Sequence, residues 1–278
     1  MKTSEEIYRI LTHGIRQFFN ETGKKQAVVG LSGGIDSAVV ACLAQDALGK
    51  ENVHGLMMPG PYSTVHSLTD ALKLCTLSEI AYHIIPIDPI FHKFLRELSP
   101  VFEHAPHDIT EENIQARIRA VLLMAYSNKK GHLVLNTSNK SELAMGYGTL
   151  YGDLTGALMV IGDIYKTDVY DLAAYLNRNG ERIPDHTIKK EPSAELHIDQ
   201  KDSDTMPEYE ELDTIRYGLI EEARSADDTT LGGGGTEKAV WVAQKMKQTS
   251  YKGHQLPPLL AVTDHPLLPE YKCLRYNS

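Results

Sequence analysis

The stretch AVVGLSGGIDSAVVACLA, residues 27–44, constrains the fold more than any other part of the chain. A β-branched pair, Val28 and Val29, leads into two glycines set between two serines, and a small-residue apolar run follows at once. Strand, tight turn and helix in that order is the unit of parallel α/β sheets. The turn does not fit GxxxxGK[ST], because the position five past Gly30 is Ile35 and no lysine follows; nor does it fit GxGxxG, because Ser32 takes the second glycine position. What remains still suits phosphate. Gly33 and Gly34 let backbone N–H groups turn inward, Ser32 and Ser37 add hydroxyls, and the helix beginning near Ile35 offers its N-terminal dipole. Asp36 would repel a bare phosphate, so its presence calls for a bridging cation, most simply Mg²⁺. The competing account is a glycine turn with Asp36 or Ser37 as a helix N-cap. Six specified positions between a hydrophobic strand and an apolar helix favour nucleotide binding.

Apolar runs and helical stretches alternate through the first half. QAVVGL (26–31), NVHGLMM (52–58), YHIIPI (82–87) and HLVLNT (132–137) read as buried strands. Residues 37–48, 64–81, DPIFHKFLREL and TEENIQARIRAVLLMAYSNKKG read as helices. The alternation predicts an α/β, Rossmann-like doubly wound parallel sheet with helices on both faces. Ligands of such sheets bind beyond the carboxyl ends of the strands, where Ser32 and Thr137 fall. After Lys166, TDVYDLAAYLNRNG predicts a helix closed by Gly180. Residues 183–207, with prolines at 184, 192 and 207, read as a long lid loop. Two later helices flank ADDTTLGGGG, whose four glycines form a flexible hinge or a plain helix connection. The expected organisation is one domain over 1–278: an N-terminal helix in 1–25, a nucleotide-binding core in 26–180, and the lid with C-terminal helices in 181–278.

A net charge of −9 argues against a nucleic-acid partner, which usually leaves a basic footprint. No apolar run reaches about 18 residues, and MKTSEEIYRILTHGIRQFF reads as an amphipathic helix rather than a signal peptide, so a cytoplasmic, non-membrane protein is expected. Cys42, Cys75 and Cys273 lie far apart without a CxxC pair and read as three reduced thiols. The twelve histidines show no HxxxH-type metal spacing.

The SGGxDS loop, Ser32 to Ser37, resembles that of the PP-loop ATP pyrophosphatases, a superfamily with the adenine nucleotide alpha hydrolase-like fold. Its members split ATP between the α and β phosphates, and the resemblance implies ATP as co-substrate with the loop cradling pyrophosphate. A second segment, LNTSNKSELAMGYGTLYGDLTGALMVIGDIYKTDVYDLAAYLN, resembles the NAD synthetases. GLMMPGPYSTVHSLTDA, ENIQARIRA, KKEPSAELH, DSDTMPEYEELD and YKGHQLPP extend the likeness from about residue 27 to about residue 262. The resemblance implies a carbon–nitrogen ligase that amidates deamido-NAD with ammonia through an acyl adenylate, giving NAD, AMP and pyrophosphate. The alternatives are the same adenylation of nicotinic acid mononucleotide, or another PP-loop amidation or tRNA-modification substrate; acidic charge and the lack of a CxxC pair weigh against the last.

By motif, the resemblance assigns ATP binding to Ser32, Gly33, Gly34, Ile35, Asp36, Ser37, Thr137, Lys166 and Ser193. It assigns magnesium to Asp36 and Glu142, the acid dinucleotide to Arg119 and Lys252, and the ammonia site to Asp153, with Asp153 and Lys166 as the catalytic pair. Each has a plainer alternative: Glu142 and Lys166 as solvent-facing helix charges, Asp153 as a turn residue, and one of Arg117 and Arg119 as structural, since residues two apart face different ways on a helix. In detail the sequence resembles the synthetase domain of glutamine-dependent members. Leu150 and Ala157 stand where ammonia-using members carry a lysine and an aspartate. Only about 26 residues precede the first strand, so no glutaminase domain is expected, and the ammonia is expected to be free or to come from a separate glutaminase. The resemblance also implies a homodimer.

Overall fold

Val28 and Val29 point to opposite faces of one strand, and each meets its own apolar layer. The same alternation holds on the two flanking strands, where Met57 and Leu135 join the layer of Val29 while Leu56 and Val134 join that of Val28. A strand with both faces apolar has to be covered on both sides, which is why the sheet is parallel and sandwiched.

The computed structural model describes residues 2–197, 200, 208–228, 230–231 and 236–276. In chain order the elements are α1 (Ser4–Thr22), β1 (Ala27–Gly30), α2 (Ile35–Leu48), β2 (Val53–Met57), α3 (Val65–Ser78), β3 (Ala81–Ile84), α4 (Asp88–Leu98), α5 (Ile109–Lys130) and β4 (Leu133–Asn136). They continue with α6 (Lys140–Met145), β5 (Leu158–Met159), α7 (Lys166–Leu176), α8 (Asp185–Lys189), α9 (Tyr209–Ile220), α10 (Thr236–Thr249), β6 (Leu259–Leu260) and β7 (Cys273–Leu274). Among the described residues seven strands form one sheet in the order β3-β2-β1-β4-β5-β6-β7, and every neighbouring pair is parallel. The chain builds outward from β1 to β3, then crosses back to lay β4 on the other side of β1. That reversal opens a crevice beyond the carboxyl ends of β1 and β4.

Helices α1, α2 and α7 cover one face, with Leu11, Ile15, Leu43 and Leu172 in its core, while α4 and α5 cover the other with Phe91, Ile114 and Ile118. A third apolar cluster, including Met145, Leu212, Ile215 and Val242, packs α9 and α10 against α6. Cys42, Cys75 and Cys273 are free and buried, and burial pushes the first two thiols up to about 11 and about 12. Among the described residues no helix is long and apolar enough to cross a membrane.

Three expectations need correction. Gly180 does not close α7: the helix ends at Leu176, and the Asn177 side chain accepts from the Arg182 and Ile183 N–H groups, so an asparagine makes the turn. The region from 183 to 197 is not all loop, because Asp185–Lys189 form α8. The run 82–87 is not a buried strand, because β3 at the edge of the sheet is exposed along all four of its residues. Strands β5, β6 and β7, with two residues each, and α6, with six, are too short for periodicity to reveal. The rest of the expected lid (198–199 and 201–207) and the four glycines 232–235 lie outside the described residues.

Because the two main cores lie on opposite faces, Leu172→Ala and Phe91→Ala should each lower the unfolding free energy by about 2–5 kcal/mol. Urea melts of the double variant should give a sum within about 0.5 kcal/mol, since the sites share no partners.

Candidate active site

The loop after β1 is held by its own side chains. Ser37 Oγ accepts from the Ser32 N–H at 3.4 Å and donates to the Gly34 carbonyl at 3.0 Å, while Ser32 Oγ accepts from the Gly34 N–H at 3.2 Å. Gly33 has φ +81°, and a Cβ there would lie 2.1 Å from the Ser67 carbonyl oxygen, so only glycine permits both the turn and the approach of α3. Gly34 is the N-cap of α2, and no side chain closes that helix end. Asp36 and Ser37 therefore are not N-caps. Asp36 sits on the second helical position, with its carboxylate turned into the crevice.

Its two oxygens have separate partners. Asn139 Nδ2 donates to Oδ1 at 2.9 Å, and Lys166 Nζ donates to Oδ2 at 2.5 Å. Glu142 Oε1 lies 4.0 Å from the same ammonium. Burial works to lower the Lys166 pKa, but the carboxylates of Asp36 and Glu142 outweigh it and hold the group above its ordinary value. Neither Glu142 nor Lys166 is a solvent-facing charge: their side chains are 18% and 4% exposed. Glu142 also serves its own helix, since Asn139 and Glu142 form a reciprocal cap at the start of α6.

In the same crevice, Asp153 Oδ1 accepts from the Thr149 N–H at 2.7 Å. Asp153 is exposed to the cavity but walled in by protein, and desolvation by those walls raises its carboxyl pKa against the pull of Thr149 and Lys252. Arg119 reaches in from α5, its Nε donating to the Met58 carbonyl at 3.0 Å. Burial pulls its pKa down to about 10, with Glu195 and Asp153 working the other way, so it is a cation at neutral pH. Lys252 donates to the carbonyls of Gly146 and Gly148, both at 2.7 Å, and burial lowers its pKa. Loop, carboxylates and basic groups all line one cleft of about 480 Å³.

A family model described as NAD synthase matches residues 7–257. The chain belongs to the NAD synthase family. The glutamine-dependent NAD(+) synthetase of Synechocystis sp. is 45% identical over 264 residues, covering 95% of this chain and 47% of that protein. The chain thus spans about half the length of the curated relatives it matches. Among solved structures, an NH3-dependent NAD synthetase from Campylobacter jejuni, in complex with nitrate, is 33% identical with a TM-score of 0.74, covering 94% of this chain and all of that one. The glutamine-dependent enzyme of Acinetobacter baumannii, in complex with ADP, is 36% identical with a TM-score of 0.68 over 99% of this chain and 50% of that chain.

Every candidate site residue singled out in the sequence except Gly33 lines the cleft: Ser32, Gly34, Ile35, Asp36, Ser37, Arg119, Thr137, Glu142, Asp153, Lys166, Ser193 and Lys252. Gly33 completes the loop between its neighbours. Ser193 is engaged within its own segment, its hydroxyl donating to the Gln200 carbonyl and accepting from the Glu195 N–H. Arg119 is the cleft-facing arginine, whereas Arg117 is exposed and ties α5 to the Leu150 carbonyl. Leu150 packs against the C-terminal core and, like Ala157, is not among the cleft's lining residues. Two contributors escaped the sequence reading. Asn139 orients Asp36, and its signal was the Asn-x-x-Glu cap. Glu195 accepts from the Thr64 N–H, the Thr64 hydroxyl and the Ser67 hydroxyl, fastening the segment that carries Ser193 to the start of α3; no local pattern announces that contact.

The raised pKa of Asp153 has a thermodynamic sign. The folded chain holds this proton at a pH where the unfolded chain has lost it, so the group favours folding as pH falls and opposes it as pH rises. Asp153→Asn should therefore melt higher than the parent at pH 7.5, and thermal melts should show the gap closing as pH falls into the ordinary carboxylate range.

Proposed function

We propose that the chain adenylates the carboxylate of deamido-NAD with ATP and then amidates it with ammonia, releasing AMP and pyrophosphate. The observation that carries this reading is the convergence of Asp36, Glu142 and Lys166 at the loop, with Asp153 lining the same cleft. A carboxylate is a poor electrophile, and joining it to AMP supplies a leaving group. Backbone N–H groups of the Ser32–Ser37 turn and the open end of α2 suit the departing pyrophosphate. Lys166 can stabilise charge that grows there as the α–β bond breaks.

The carboxylates of Asp36 and Glu142 fit a magnesium ion, because they are hard oxygen donors that already converge on one cation, the Lys166 ammonium. Among the described residues no cluster of three or more metal-ligating side chains exists, so the remaining ligands would be phosphate oxygens and water. Bound there, magnesium supplies positive charge to the pyrophosphate.

Asp153 suits ammonia. An acidic side chain attracts ammonium, and a carboxyl pKa lifted toward the working pH makes it a better acceptor for the proton that must leave before nitrogen attacks. Arg119 and Lys252, both cationic and within electrostatic reach of Asp153, suit the anionic acid dinucleotide.

We also infer a homodimer, supported by Val121 and Met124, which lie exposed on α5 one turn apart. A cytoplasmic location accords with the same reading. In sedimentation, Val121→Asp should shift the protein toward monomer; an unchanged sedimentation coefficient removes α5 from the interface.

Purified protein should be supplied with ATP, Mg²⁺ and either deamido-NAD or nicotinic acid mononucleotide, each with ammonium or glutamine. AMP and NAD should appear with the dinucleotide and ammonium; product only with the mononucleotide, or none at all, rejects the reading. Asp153→Ala should lower amide formation by about 10²–10⁴-fold while ATP still binds, which calorimetry measures directly.

A further inference from the structure

The first two N–H groups of α7 belong to Lys166 and Thr167, and the residue before them, Tyr165, offers no side-chain cap. Their partners come from other parts of the chain. Ser141 Oγ accepts from the Lys166 N–H at 2.8 Å, and Asp213 Oδ2 accepts from the Thr167 N–H at 3.1 Å and from its hydroxyl at 3.3 Å. The second oxygen of Asp213 accepts from the Ser141 hydroxyl at 2.5 Å and from Arg216 Nη1 at 2.7 Å. A carboxylate only accepts, so Ser141 gives its single proton to Asp213 and must present a lone pair to the Lys166 N–H. The direction of that relay is fixed by chemistry.

We propose that Asp213, which is 5% exposed and does not line the cleft, is the positioning residue that sets the Lys166 ammonium against Asp36 and Glu142. The proposal rests on the reading of Lys166 as the charge partner of ATP phosphates. One carboxylate holds the starts of both helices that supply this charge. Through Ser141 it meets α6 next to Glu142, and through Thr167 it meets α7 next to Lys166. A negative charge at the positive end of α7 strengthens the arrangement. Asparagine cannot replace it, because it has one accepting oxygen and two sets of donors to serve; whichever way it turns, an NH₂ faces either the Thr167 N–H or the Ser141–Arg216 pair. Lys166 thus takes its place from α9, in the C-terminal part of the chain.

The test is a double-variant cycle on the full chain. Calorimetry measures the affinity for ATP with Mg²⁺ in the parent, Asp213→Asn, Lys166→Ala and the combination. A residue that acts through Lys166 has nothing left to do once that side chain is gone. Each single variant should weaken binding by about tenfold, and the double should bind no more weakly than Lys166→Ala alone. For Asp213→Asn, kcat for amidation should fall by about 10- to 100-fold while the KM for the acid dinucleotide stays within about twofold. Additive losses, or Asp213→Asn behaving as the parent, overturn the proposal. Should Asp213→Asn fail to fold, Ser141→Ala takes its place in the cycle with the same two outcomes. A parent that binds ATP but amidates neither acid nucleotide removes the functional reading while leaving the binding cycle to decide on Asp213.

Discussion

The pairing of Lys166 with Asp36 is the interaction on which the rest of the cleft depends. Removing an ammonium and a carboxylate from water costs several kcal/mol per ion, and the pair persists because each charge has further partners. Asp36 is also bonded by Asn139, and Lys166 also faces Glu142 and stands 5.4 Å from the centre of the Tyr209 ring. These residues come from four elements or their edges: α2, the N-cap of α6, α7 and α9. The crevice exists because β1 and β4 are neighbours whose connections leave in opposite directions, and the charges sit where both strands end. Sheet topology and site chemistry are therefore one arrangement described at two scales.

A second buried lysine shows how burial separates structure from function. Lys140 is fully buried and bonded to Asp163, Glu221, Thr263 and the His265 carbonyl. It anchors the first residue of α6 to the C-terminal segment and does not line the cleft. Lys166 is nearly as buried, yet its ammonium faces carboxylates that open to the cavity. Two lysines of similar burial thus serve different ends, and only the surroundings of each ammonium tell them apart.

Much of this was readable in advance. Val28–Val29, the double glycine and the apolar helix specify a strand–turn–helix unit whose burial pattern allows only a covered parallel sheet. The loop and Asp36 could be singled out from their own chemistry, whereas Glu142, Lys166 and Asp153 were marked by the resemblance of their segments to the NAD synthetases. The closure of α7 by Asn177 could not, since it depends on a side chain reaching residues five and six positions ahead. Nor could the fastening of Glu195 to Thr64, 131 positions away, or the hold of Asp213 on Ser141. Contacts between distant segments leave no period in the sequence, and two-residue strands such as β5 leave too short a one. Leu150 and Ala157 mark a related limit: their identities were plain, but only the fold shows that neither lines the cleft.

The central claim is that the loop releases pyrophosphate while the acceptor's own carboxylate attacks the α phosphorus. The most direct measurement follows oxygen. Deamido-NAD labelled with heavy oxygen in its carboxyl group is converted with ATP and ammonium, and the AMP is analysed by mass spectrometry. One labelled oxygen in the AMP phosphate is the result this account predicts. Label that appears in pyrophosphate or in water, with unlabelled AMP, contradicts it.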